Sequence, residues 1–332
     1  MIPHQPLVTP ELLVAAKNIL FVGHFTPQHL VYLNQQLRAF AVVYPHISLS
    51  LFTSYAAPAR WLPWQTAGRD VLKDWCVGLP VIKKLYRSDD LKQLKMDAQQ
   101  QPFEVVISLA DENQPYFARL ARRLAGKGLV IATQNLTRWY DIRCRFSFKR
   151  CDHLLQLTPE NQPLSEYYLA VFQQLFGPQL VGVRDLPRVQ LPKQWITYAK
   201  LLFLKWGIDK KNKQFSKVVF VSPYAEVDRS GASLSLPEVL EFITQLSRRD
   251  EYGDVSFIIN VPEHKLKKAR AFFTKQSVNN AHLFCANTNF FQLPALISLC
   301  DWVVATPSLS LHLAYALAVP TVKEVSSGDI QI

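Results

Sequence analysis

Residues 302–322 read WVVATPSLSLHLAYALAVPTV. The first four, 302–305, are a short apolar, β-branched run of the kind that forms a buried strand. Thr306, Pro307 and Ser308 make a polar turn. Residues 310–318 are small and apolar and read as a helix, which Val319-Pro320 stops before a last strand at 320–322. Two strands joined through a helix must run parallel, because the crossover is too long for a hairpin. The stretch therefore predicts a βαβ unit with a polar turn at the carboxyl end of its first strand.

The same alternation runs outward through the whole chain. In the second half, 217–222 (KVVFVS), 255–261 (VSFIINV) and 281–285 read as strands, and 237–248, 263–276 and 291–300 as helices. Ser235 is placed to cap the helix that starts at Pro237, with Glu238 in its first turn. In the first half, 19–23 (ILFVG), 47–53 (ISLSLFT), 104–109 (EVVISL) and 129–132 read as strands. Residues 28–44, 115–125 and 164–176 read as helices, the last stopped by Gly177-Pro178. Strand and helix in alternation predict an α/β protein of two Rossmann-like domains facing a central cleft. Ligands in such sheets bind beyond the carboxyl ends of the strands. The divisions expected are 1–185, a basic connecting helix over 186–216, and 217–332.

Composition limits what this architecture does. The chain has 332 residues, 49% hydrophobic and 19% charged, enough apolar material for two cores and too little charge for a disordered chain. No apolar run reaches the roughly 18 to 20 residues of a membrane span, and the first residues carry no signal-peptide pattern. Five cysteines (Cys76, Cys144, Cys151, Cys285, Cys300) without a CxxC predict neither a disulfide framework nor a zinc ribbon. Cys144, Cys151 and His153 lie close in sequence, but one local cluster does not make a zinc site. Eleven glycines argue against a glycine-rich nucleotide loop, and GxSxG, HExxH and GxxxxGK[ST] are absent. A cytoplasmic protein is expected. The net charge of +11 calls for an anionic partner. It is divided as +6 over 1–185, +7 over 186–217 and −2 over 218–332, so the excess belongs to the first domain and the connecting helix.

The stretch 302–322 resembles the donor-site signature of glycosyltransferase family 9, the ADP-heptose:lipopolysaccharide heptosyltransferases, which reads approximately vsnDTGpaHLAaAlgvPtv. Three further segments fit in order. Residues 19–52 match that family's first strand, loop, helix and second strand. FEVVISL (103–109) matches its yDlvidl strand, and KVVFVSPYAE (217–226) the strand entering its hPGa loop. The resemblance implies a GT-B-like fold. A nucleotide-sugar, ADP-heptose-like, would bind the C-terminal domain, and a lipid A–core oligosaccharide acceptor the N-terminal one. It implies no metal and no cofactor beyond that co-substrate. It also implies a place on the anionic cytoplasmic face of the inner membrane, and no nucleic acid as partner.

Carried over residue by residue, the resemblance changes its chemistry. The family's aspartate in the first loop, the base for the acceptor hydroxyl, falls on His29. An imidazole can serve as base near neutral pH; the alternative is a loop residue with the base gone. His24 is a second, weaker candidate. In the DTGpaH turn, Ser308, Ser310 and His312 still offer donors at a helix start, with Thr306 before them. Pro307 replaces the aspartate and removes a backbone donor, and Leu309 replaces a glycine, which would make a left-handed backbone there costly. The family's phosphate lysine falls on Leu234, leaving Arg229 as a substitute cation. Ser222 and Tyr224 lie where the donor loop would meet the nucleotide. Glu263 lies near the donor ribose, or is a plain helix-start glutamate favoured by the dipole. Arg138, Arg143 and Arg145, interleaved with Trp139 and Tyr140, are candidate acceptor contacts. Asp111-Glu112, at the carboxyl end of strand 104–109, either face the acceptor or cap the next helix. In 192–213, Trp195, Tyr198, Phe203 and Trp206 suggest packing, with Lys193, Lys200, Lys205 and Lys210 turned toward an anionic membrane. The losses at positions 29, 234 and 307–309 keep a second reading open, a non-catalytic paralogue that binds glycolipid or a partner transferase.

Overall fold

The computed structural model describes residues 5–54, 74–75, 81–134, 146–155, 163–178, 189–208, 216–224, 233–248, 254–286, 288–306 and 308–322. The chain divides into two compact units, one of 1–56 with 79–188 and one of 57–78 with 189–332.

The first unit carries strands β1 (Asn18–Gly23), β2 (Ser48–Thr53), β3 (Ile82–Arg87), β4 (Val105–Ser108), β5 (Leu129–Thr133) and β6 (His153–Leu155). They form one parallel sheet in the order β3-β2-β1-β4-β5-β6. Its helices are α1 (Pro10–Ala15), α2 (Pro27–Val43), α3 (Leu91–Gln100), α4 (Gln114–Ala125) and α5 (Leu164–Phe176). Every residue of β1 is buried, as expected for a central strand with helices on both faces. On one face Phe21 stacks on Phe172 of α5 at 5.8 Å between centroids. On the other, Leu20, Val22 and Val106 share a core with Phe117, Leu120 and Leu124 of α4.

The second unit has strands β7 (Ser216–Ser222), β8 (Asp254–Asn260), β9 (Ala281–Phe284), β10 (Trp302–Ala305) and β11 (Thr321–Val322). They are parallel, in the order β11-β10-β7-β8-β9. Its helices are α6 (Lys193–Lys205), α7 (Leu236–Ser247), α8 (Glu263–Lys275), α9 (Gln292–Ile297) and α10 (Leu309–Ala316). The α7 start is built as the sequence predicts: Ser235 Oγ accepts from the Glu238 amide at 3.4 Å, and Glu238 Oε2 accepts from the Ser235 amide at 2.6 Å. Val219, Val221, Phe257 and Ile259 of the sheet pack on Val239, Phe242 and Ile243 of α7 and on Phe273 of α8.

Each unit is thus a Rossmann-like α/β domain. Both sheets start at a central strand, build outward to one side, then return and build to the other. The points of reversal lie between β1 and β4 and between β7 and β10. Two features depart from the sequence division. Helix α6 belongs to the second unit. So do Asp74 and Trp75, which come from the stretch of chain between β2 and β3: Trp75 is buried against Phe290 at 4.7 Å, and Asp74 Oδ2 accepts from the Phe290 amide at 3.0 Å.

Candidate functional site

In the first unit the reversal point brings two loops together. Strands β1 and β4 run in register, Val22 beside Ser108, so the chain leaving each emerges at the same edge. After β1, Phe25 turns inward and its amide donates to Thr53 Oγ1 at 3.1 Å. Thr26 then caps α2. Its hydroxyl accepts from the His29 amide and its own amide donates to His29 Nδ1, both at 3.4 Å. This is a capping box in which histidine takes the place of the usual glutamate or glutamine. His29 Nδ1 also lies 3.3 Å from the His24 carbonyl, and Nε2 lies 3.9 Å from Asp111 Oδ2.

Asp111 comes from the β4–α4 loop. Asn113, not Asp111, stands at the N-cap position of α4, its side chain making no capping bond, with a left-handed backbone at φ 51° that asparagine tolerates. The Asp111 carboxylate instead accepts from the Glu112 amide at 2.9 Å and turns toward His29. Tyr168 of α5 meets the His29 ring edge-on at 6.3 Å. Burial lowers the His29 pKa from its usual value; the Asp111 charge, the His24 carbonyl and Glu112 pull it up, and His24 itself pulls it down. Burial, then the Asp111 charge, pushes the Tyr167 phenol up to about 12, and burial raises Tyr168 well above the usual phenol value too. Burial thus favours the neutral form of His29, the form that can accept a proton, beside one carboxylate and two phenols. His24 stands aside, its Nδ1 3.3 Å from Ser54 Oγ.

In the second unit the carboxyl edge carries Ser222, Tyr224, Asn260, Glu263, Thr306, Ser308, Ser310 and His312. Ser222 ends the central strand, and Asn260 Nδ2 donates to its hydroxyl at 3.4 Å. The Thr306 amide and hydroxyl both donate to the Ser222 carbonyl, at 3.1 and 3.4 Å. Ser308 is the capping residue of α10, yet its side chain makes no cap. Among the described residues, neither Ser308 Oγ nor Ser310 Oγ has a hydrogen-bond partner, and both are fully buried. The amides of Leu311 and His312 point back to the Ser308 carbonyl. Leu309 is helical, so the left-handed backbone expected to be costly there does not arise. That conformation falls instead on Ala318, at φ 55°, where the chain leaves α10.

Leu234 packs against the apolar core, consistent with the lost lysine. A different cation stands at this edge: Lys265, in the first turn of α8, lies 4.1 Å from the centre of the Tyr224 ring. Residues 263–276 read as a basic helix, and the signal for Lys265 within it is its place four residues past the carboxyl end of VSFIINV. Glu263 is exposed in the same turn. Arg229, Arg138, Arg143 and Arg145, and Pro307, lie outside the described residues. Among the described residues no group of three or more His, Cys, Asp or Glu side chains is arranged to hold a metal ion.

Helix α6 presents two faces. Ala199 and Phe203 are buried, with Trp206 stacked on His282 at 5.2 Å and Trp195 edge-on to Tyr198 at 5.7 Å. Leu201 and Leu204 point outward, 61% and 69% exposed, between the exposed Lys193, Lys200 and Lys205. No helix among the described residues is long and apolar enough to cross a membrane.

No protein-family model matches the chain, and no curated protein matches its sequence. Solved structures do match its fold. A family 9 glycosyltransferase from Veillonella parvula matches with a TM-score of 0.65 at 12% identity, over 92% of this chain and 79% of that one. The E. coli ADP-heptose lipopolysaccharide heptosyltransferase II matches with a TM-score of 0.60 at 15% identity, over 92% and 83%. An E. coli heptosyltransferase solved with ADP matches with a TM-score of 0.58 at 12% identity, over 92% and 86%. The chain shares the fold of these glycosyltransferases.

Proposed function

We propose that this protein is a glycosyltransferase that moves a sugar from a nucleotide-diphosphate donor to a sugar hydroxyl of a phosphorylated glycolipid. The observation that carries the reading is the pair of buried hydroxyls at the start of α10 that have no hydrogen-bond partner among the described residues. An unsatisfied buried polar group costs about 1–3 kcal/mol, and such groups are tolerated where a ligand satisfies them. Here they sit at a helix start, beside the reversal point of the second sheet, where anions bind. A diphosphate supplies the acceptor oxygens they lack. Lys265 and Tyr224 add a cation and an aromatic surface on the α8 side of the same edge. The sequence signature in 302–322 and the fold shared with an ADP-bound heptosyltransferase support the same assignment.

In this reading the first unit supplies the base and the second binds the donor. His29 Nε2 takes the proton of the acceptor hydroxyl. The oxygen forms its bond to the anomeric carbon of the donor sugar. The bond from that carbon to the diphosphate oxygen breaks, and the nucleoside diphosphate leaves with the electron pair, its new charge met by the donors at α10. In its finer form the reading names a heptose or related sugar, an ADP-heptose-like donor and a lipopolysaccharide or lipooligosaccharide core as acceptor. The outer face of α6 then rests on the anionic cytoplasmic surface of the inner membrane, its lysines on lipid phosphates and Leu201 and Leu204 at the headgroup boundary.

The test is transfer with purified protein, ADP-heptose and other nucleotide-sugars, and a truncated core acceptor, with donor binding followed by calorimetry. Acceptor-dependent release of the nucleoside diphosphate is expected. Absence of both turnover and donor binding would overturn the reading. Binding without turnover would favour the non-catalytic paralogue, which the replacements at 29, 234 and 307–309 motivate.

A further inference from the structure

We propose that Asp111 is the positioning partner of His29, holding the charge of the imidazolium as the acceptor proton arrives, so that the base is a two-residue unit assembled across the reversal point of the first sheet. The inference rests on the transferase reading above and deepens it.

Four observations converge. The two ring nitrogens of His29 have different neighbours: Nδ1 faces the His24 carbonyl at 3.3 Å, and Nε2 faces Asp111 at 3.9 Å. Nδ1 also lies 3.4 Å from the Thr26 amide; in the tautomer with the proton on Nδ1 it donates to the His24 carbonyl instead of accepting from that amide, and the lone pair lies on Nε2, on the side of the carboxylate. The gap of 3.9 Å is too long for a direct hydrogen bond and short enough for a strong charge interaction. Second, the carboxylate is held in place, one oxygen accepting from the Glu112 amide at 2.9 Å, and Asp111 lies two residues before the N-cap position of α4, which Asn113 occupies. Third, the juxtaposition is built by the fold: the residues are 82 positions apart and meet because β1 and β4 are neighbours in register. Fourth, the ring is largely desolvated, and burial alone disfavours the protonated form. The groups facing it are His24 from its own loop, Asp111 and Glu112 from the β4–α4 loop, and the neutral phenols of Tyr167 and Tyr168 from α5; Asp111 is the strongest of those favouring the proton. Without it burial would weaken the base further.

The test is the titration of His29 itself in the full-length chain with ring-labelled histidine, its signal assigned by loss in His29→Gln. Asp111→Asn keeps the size of the side chain and the acceptor for the Glu112 amide. The His29 midpoint is expected to move to lower pH in Asp111→Asn and to return toward wild type in Asp111→Glu, which also serves if the asparagine variant does not fold. An unchanged midpoint in a folded Asp111→Asn protein would overturn the inference. The measurement needs no donor or acceptor, so it is independent of the transferase reading. With substrates, the acid limb of kcat should follow the same displacement, with KM for the donor unchanged. A shifted midpoint in a protein that transfers no sugar would sink the transferase reading and leave the pairing intact.

Discussion

His29 shows how far one residue carries the chemistry. In the proposed reaction its neutral form is the base, and burial lowers its pKa, so activity should persist below the ordinary histidine range near pH 6.5. A pH profile of kcat is expected to show its acid limb below that value; a limb above it would contradict the burial. The same shift links to stability. The unfolded chain binds the His29 proton more tightly than the folded one, so folding contributes stability above pH 6.5 that is lost as pH falls through the lowered folded value. Denaturation midpoints should drop over that window in wild type and less so in His29→Gln. His29→Ala should lower turnover by about 10²-fold or more, and the loss of its ring hydrogen bond should cost about 0.5–1.5 kcal/mol; an unchanged rate would remove it from the mechanism. His29 stands out in the sequence through the family resemblance, as the position of that family's aspartate. Asp111 was legible as a carboxylate at a strand end, but its choice of His29 over capping was not. That choice depends on the register of β1 against β4 and on a left-handed Asn113, neither of which is written locally.

At the scale of elements, the turn into α10 combines good prediction and missed detail. The strand, polar turn and small-residue helix were read correctly because Val-Val-Ala and the Val-Pro stop are strong local signals. The unsatisfied hydroxyls were not readable, because they follow from how deeply the first turn is buried. They imply opposite effects on stability and binding. Ser308→Ala and Ser310→Ala should leave the protein as stable as wild type or about 1 kcal/mol more so, while weakening nucleotide-diphosphate binding about fivefold or more. A loss of stability with unchanged binding would show that the hydroxyls serve the fold alone. The exit from the helix tests the backbone: the Val319 amide closes on the Ala314 carbonyl at 2.9 Å around Ala318 at φ 55°, a position that favours glycine. Ala318→Gly should stabilise by about 1 kcal/mol in chemical denaturation. Strand β3 was missed for a different reason. IKKLYR exposes Lys83 and Lys84, the charged pattern of an edge strand rather than of a buried run.

For the whole molecule, the alternation of strands and helices was enough to read two Rossmann-like domains, because each βα repeat is written in local periodicity. The assignment of Asp74 and Trp75 to the second unit was not readable, because it depends on contacts with Phe290 and Phe291 far along the chain. The charge distribution gains a location. The +7 of residues 186–217 includes Lys193, Lys200 and Lys205, which α6 sets around the outward Leu201 and Leu204. Replacing Lys200 and Lys205 by glutamate should weaken sedimentation with anionic vesicles by about 1 kcal/mol or more per residue, and added salt should do the same to wild type; binding that ignores both would point to another partner for this face. The measurement that bears most directly on the molecule as a whole is release of nucleoside diphosphate from a nucleotide-sugar by the full-length chain, with and without a truncated core acceptor. We expect release that requires the acceptor and falls about 10²-fold or more in His29→Ala. No release from any nucleotide-sugar, or release that neither the acceptor nor His29 affects, would contradict a sugar transfer driven from this site.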